Sequence, residues 1–185
     1  MDDKSIENLR LNLIHADCKT FGRIFEIIVS HLQNLSEAND QSYDRKCKTT
    51  KKRVEVKASR AFEKTTKLTE SNAYELLTQS NAHKKLVQSN DLKNPNYDCG
   101  IFQVKPTCFE ELYYCIVFHE NVYIFKINKK EITEDKAIGY SKKQHRTGKM
   151  GQFHIHAKNI DHHMQNYLYR KLNYSQILAV LNFQK

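Results

Sequence analysis

Apolar residues recur along this chain at two different periods, and the change from one to the other maps its elements. Over 5–35, Leu9, Leu13 and Ala16 form one stripe, and Phe21, Ile24, Phe25, Ile28, Leu32 and Leu35 form a second at three- and four-residue spacing. That predicts helix with a break around Gly22 and Ser5 as a candidate cap. After a polar loop over 36–42, the period drops to two at 53–57, where Val54 and Val56 face one way and Glu55 and Lys57 the other. A modest apolar face predicts a helix over 73–88, and turn chemistry at 94–96 precedes a second alternating stretch over 101–106. Apolar strands are expected over 108–118 and 122–127, joined by a turn at 119–121. Met164, Tyr167, Leu168 and Leu172, then Ile177, Leu178, Val180 and Leu181, predict two short helices broken near Asn173. A β-rich run between helices predicts an α/β fold with a central mixed β-sheet flanked by helices. The 185 residues fit a single domain, 1–185.

The first alternating stretch carries the candidate chemistry. Asp44 lies eleven positions before Glu55, and between them 46–51 hold two Thr, three Lys and a Cys, a composition suited to a hairpin bend. Such a bend returns Asp44 to the side of Glu55. Two carboxylates and a lysine on adjoining strands suit Mg²⁺, which takes one or two carboxylates and fills its other positions with water and phosphate oxygens. Lys57 is then placed to hold or deprotonate a water, or to neutralise developing charge. The plainer reading is a surface hairpin with a solvated Glu/Lys pair of little energetic worth.

Charge favours the first reading. Lys and Arg number 30 against 21 acidic residues, for a net charge of +9, and nine of the basic residues fall between Arg45 and Lys64. Phosphate neutralisation by such residues is the main sequence-independent source of affinity for nucleic acid. Arg60 and Lys64 are candidate phosphate contacts. So is the glycine-rich basic segment 139–155, in which Lys143, Gln144, His145, Arg146, Lys149 and Gln152 are the residue types that read bases or hold phosphates. A solvated loop is the plainer account of that segment.

Asp44, ten intervening residues and then Glu55-Val56-Lys57 resemble the active-site signature of the PD-(D/E)xK nucleases, to which most type II restriction endonucleases belong, with Tyr43 in place of the proline. The Gln103-Val104-Lys105-Pro106 run and the segment before Gln152-Phe153-His154-Ile155 also resemble stretches common in restriction enzymes. The resemblance implies a restriction-endonuclease-like sheet and a Mg²⁺ ion held by Asp44, Glu55 and the Val56 carbonyl. It further implies a first-helix glutamate leaning into the site, for which Glu26 is the candidate; Glu26 shares a helix side with Arg23, Ser30 and Gln33. Gln103 and Lys105 would extend the polar face if their strand pairs beside Val54 to Lys57; otherwise Lys105 is a sheet-edge lysine that discourages aggregation. The substrate implied is double-stranded DNA, cut by a homodimer that leaves 3′-hydroxyl and 5′-phosphate ends, with a companion methyltransferase.

Other readings stay open at this point. A structure-directed or repair nuclease would share the core, and a basic nucleic-acid-binding protein would carry the same three residues by accident. An RNA-binding module lacks its paired aromatic strands here. His154, His156, His162 and His163 permit a zinc site on composition, although adjacent His162 and His163 cannot both face one ion from a regular helix. Five cysteines with no Cys-x-x-Cys pair suggest reduced thiols in the cytoplasm, and neither an N-terminal signal nor an apolar run of membrane-spanning length is present.

Overall fold

A computed structural model describes residues 3–39, 42–64, 69–78, 85–94, 96–142 and 150–182. Two helices open the chain, α1 (Asp3–His15) and α2 (Cys18–Gln33). The break falls at Asp17 rather than at Gly22, because the Asp17 carboxylate accepts from the Lys19 and Thr20 amides and caps α2. Gly22 lies inside α2. Next come β1 (Leu35–Glu37), β2 (Arg45–Cys47), β3 (Arg53–Arg60), α3 (Ala73–Thr78), β4 (Cys99–Val104), β5 (Glu111–Val117) and β6 (Asn121–Asn128). A short 3-10 turn at Lys129–Glu131 leads to β7 (Tyr140–Ser141), β8 (Gly151–Ile155), α4 (Ile160–Asn166), β9 (Leu168–Asn173) and α5 (Tyr174–Asn182).

Six strands form one mixed sheet in the order β1-β2-β3-β5-β6-β9, and three form a small antiparallel sheet, β4-β8-β7. Within the large sheet β3 and β5 are parallel and the other neighbours antiparallel. Every residue of β5 is buried, as expected for a strand covered on both faces. On one face Val54, Val56, Tyr113, Cys115 and Val117 pack against Leu13 of α1, Phe21, Phe25, Ile28 and Val29 of α2, and Ile177 of α5. On the other, Leu112, Tyr114 and Ile116 meet Cys99 and Ile101 of β4, Phe153 and Ile155 of β8, and Ile160 of α4. The expected mixed α/β sheet flanked by helices is therefore present.

Three expectations are corrected. Of the helix expected over 73–88, α3 covers Ala73–Thr78 and 79–84 lie outside the described residues, while Leu86 bridges Phe62 and the Val87 amide donates to the Ala61 carbonyl. The stretch 168–173, expected to be helical, is the edge strand β9, paired in register with β6 from Asn121↔Asn173 to Ile124↔Arg170. Apolar residues four apart satisfy a helix locally, but the open edge of β6 offers a ladder. The pairing on which Gln103 and Lys105 were to extend the face of β3 is absent: β5 lies beside β3, and β4 joins β8 in the second sheet, with Gln103 at φ 59° in a register shift before Val104. No helix among the described residues is long and apolar enough to cross a membrane.

Candidate active site

The hairpin of β2 and β3 builds the site. Its register sets Arg45 opposite Val54 and Lys46 opposite Arg53, with Lys51 at φ 59° in the turn. The ladder stops there, because β2 begins at Arg45, so from Glu55 onward β3 has no strand partner on that side among the described residues. Asp44, one residue ahead of β2, fills the gap: its Oδ2 accepts the Val56 amide hydrogen at 2.8 Å. Residues 53 and 61 turn their backbone groups toward β5, bonding the Glu110 amide and the Val117 carbonyl respectively. By alternation Val56 turns both its N–H and its C=O the other way, into the space beside Asp44.

Side chains alternate as the sequence predicts. Val54 and Val56 enter the core beneath α2, and Glu55 and Lys57 emerge on the opposite face, where Lys57 Nζ stands 2.5 Å from Glu55 Oε1. Both are largely enclosed, with 11% of the Glu55 side chain and 24% of the Lys57 side chain exposed. Burial raises the Glu55 carboxyl above its ordinary range; Lys57 opposes this, and the charges of Asp44 and Glu26 add to it. Burial acts to lower the Lys57 ammonium, but Glu55, Asp44 and Glu26 outweigh it and the net direction is upward. Lys57 is thus a firmly held cation facing three carboxylates, and Glu55 is a carboxylate poorly stabilised by its surroundings.

Glu26 of α2 acts on this cluster only through its charge, and its carboxylate belongs to a closed ring of ion pairs. Glu26 Oε2 accepts from Arg23 at 2.8 Å and from Arg45 at 3.1 Å, while Glu37 Oε1 accepts from the same two arginines at 2.6 and 3.4 Å. Arg45 is 4% exposed and sits on the valine face of the hairpin, in register with Val54. Treated as one more charge in a basic run, it was missed as a site residue. The hairpin register was the signal for it, since position 45 shares a face with Val54.

The remaining candidates divide. Gln103 and Lys105 are exposed on the second sheet. Arg60 is occupied elsewhere: its Nε and Nη2 donate to the Leu13 and Ala16 carbonyls at 2.8 and 2.6 Å, and the guanidinium lies 3.7 Å from the centre of the Phe21 ring. It pins the end of α1 to the end of β3 and does not face a phosphate. Lys64 is exposed. Gln152 is buried in β8, opposite Ser141, and is withdrawn from base contact. Lys143, Gln144, His145, Arg146 and Lys149 lie outside the described residues. Of the histidines considered for zinc, His163 is fully buried with both ring nitrogens engaged, Nδ1 with the Tyr114 hydroxyl at 2.6 Å and Nε2 with the Ile138 carbonyl at 3.1 Å.

Among the described residues no group of three or more His, Cys, Asp or Glu side chains is arranged to hold a metal. A hard cation at Asp44 and Glu55 would therefore rest on two carboxylates and a main-chain oxygen, with water completing its shell, a donor set that suits Mg²⁺. Neither a protein-family model nor a curated protein matches the chain.

Proposed function

We propose that this protein is a Mg²⁺-dependent DNA endonuclease of the PD-(D/E)xK type, a type II restriction enzyme that cuts double-stranded DNA at a short sequence. The observation that carries the reading is the Asp44 carboxylate on the Val56 amide, which sets Asp44, the Val56 carbonyl, Glu55 and Lys57 around one gap in a mixed sheet. Asp44, Glu55 and the Val56 carbonyl would hold the ion, which when bound polarises a phosphoryl oxygen and acidifies a bound water. Lys57 supplies a fixed positive charge beside the scissile phosphate and a donor to orient the attacking water. Arg23 and Arg45 hold Glu26 in place, and part of its negative charge still acts on Glu55 and Lys57. The net charge of +9 supports a polyanionic substrate. Cutting both strands symmetrically calls for a homodimer, and a cytoplasmic enzyme of this kind calls for a companion methyltransferase to protect host DNA.

Digestion of phage DNA with Mg²⁺, with EDTA, and by Lys57→Ala tests this directly. Discrete fragments are expected with Mg²⁺, and none in the other two lanes. Random or structure-dependent cutting would reassign the chain to repair nucleases. Intact DNA throughout, with a salt-sensitive mobility shift, would leave a binding protein.

A further inference from the structure

Apart from the hairpin site, the molecule holds a cavity of about 730 Å³ beyond the carboxyl ends of β3 and β5. Its walls come from α1, from the residues just past β3, from the segment 85–91 and from His119 just past β5. Ligands often bind at the carboxyl ends of parallel strands, and here the segment 85–88 crosses those ends, the Val87 amide donating to the Ala61 carbonyl and the His119 amide to the Val87 carbonyl. β3 and β5 are the parallel pair of this sheet. The cavity lies on the α1 face of the sheet, and Glu55 and Lys57 lie on the other.

Three features define the ligand class. Arg10 and Lys85 bring two permanent cations to the wall. Arg10 Nη1 donates to His119 Nε2 at 2.7 Å and Nη2 to Glu7 at 2.6 Å, which leaves each of these nitrogens a second hydrogen to donate. Lys85 pairs with no carboxylate among the described residues. Ile14 and Leu86 give the cavity an apolar side against which a flat ring or a sugar can lie, and Glu63 and Asp91 on its rim can accept from hydroxyls. His119 accepts from Arg10 at Nε2, which leaves Nδ1 as a further donor.

We propose that this cavity binds a small phosphomonoester of about mononucleotide size, its phosphate on Arg10 and Lys85 and its hydroxyls toward Glu63 and Asp91. The proposal is independent of DNA cleavage, since none of these residues belongs to the Asp44 site. Equilibrium dialysis of the full chain against AMP, ribose 5-phosphate, adenosine and inorganic phosphate tests it, with Arg10→Gln, Lys85→Gln and Lys57→Ala alongside. AMP or ribose 5-phosphate should be retained, and binding should weaken by about tenfold in either Arg10→Gln or Lys85→Gln, the loss of one charge-assisted bond. Lys57→Ala should bind as the wild type does. Preference for AMP over ribose 5-phosphate would identify a nucleotide, and equal binding a sugar phosphate; both support the site. Four outcomes would overturn it: no retention of any probe, adenosine retained as well as AMP, inorganic phosphate bound as tightly as either ester, or binding lost only in Lys57→Ala. Lys85 is exposed, so Lys85→Gln keeps the test valid if Arg10→Gln fails to fold. Both variants should retain any Mg²⁺-dependent cutting, so a failure here is distinguishable from a failure of the nuclease reading.

Discussion

Glu55 shows most directly how the proposed site and stability oppose each other in this molecule. Its carboxyl is raised by burial and by the charges of Asp44 and Glu26, with only Lys57 opposing them among its larger influences. The folded protein therefore binds a proton at Glu55 more tightly than the unfolded chain does. Stability from this group is full below the unfolded pKa and falls as pH rises through the folded one. Replacing Glu55 with Gln removes the charge while keeping the shape. Thermal melts at pH 5 and pH 8 without divalent ions should show a smaller loss of stability at high pH in Glu55→Gln than in the wild type. Cleavage by the variant should fall by about a hundredfold or more, the usual cost of removing one charged group from such a site. A variant with the wild-type pH dependence would mean that Glu55 is not the strained group. Asp44→Asn separates two roles in the same way: an amide oxygen can still accept from Val56, so the hairpin should survive while the charge beside Glu55 is lost.

Elements in this protein are held by side chains that composition alone would assign to solvent. Arg60, in a basic run and near the site, looked like a phosphate contact; folded, it satisfies two carbonyls left open at the end of α1 and lies over Phe21. Arg60→Ala should lower stability by about 1–3 kcal/mol, the scale of losing charged hydrogen bonds. It should leave the salt dependence of DNA binding unchanged. Urea melts and mobility shifts over a salt series check both, and a shallower salt slope would return Arg60 to the DNA. The β2–β3 hairpin was legible because two local signals agree: alternation from Arg53 to Lys57 and a polar six-residue bend. That agreement placed Asp44 beside Glu55. What could not be read depends on distant partners. β9 is a strand because β6 offers it an edge, 85–88 takes its path because the Ala61 carbonyl accepts from Val87 and the Glu63 amide donates to Lys85, and β4 leaves the main sheet because Ile101 pairs with Phe153. Arg45 was hidden for the same reason, since its value lies in Glu26 and Glu37, carried on α2 and β1.

At the scale of the whole molecule, two layers must stay closed on the large sheet, and the layer opposite the helices depends on one histidine. His163 of α4 reaches the Tyr114 hydroxyl on the central strand and the Ile138 carbonyl ahead of β7, among the rings of Phe125 and Tyr167. A carbonyl can only accept, so Nε2 carries the proton and Nδ1 accepts from Tyr114; the ring is neutral and has no site for a second proton without losing a bond. Burial, reinforced by His162 and His156, pushes its pKa down to about 4 from 6.5. The unfolded chain therefore takes up the proton first. Full stability holds above pH 6.5 and is lost as pH falls toward 4, at up to about 1.4 kcal/mol per pH unit and about 3 kcal/mol in all. That is a large fraction of the 5–15 kcal/mol or so that holds a domain together. Urea melts between pH 4 and pH 7 should show this slope. In His163→Gln it should flatten, because the amide oxygen can accept from Tyr114 and the amide nitrogen can donate to Ile138 without titrating. The variant will be less stable at pH 7, since an amide does not fill the imidazole's place, but the measurement turns on the slope. An unchanged slope would place the acid lability elsewhere than at His163 and would leave the closure of the two layers to apolar contact alone.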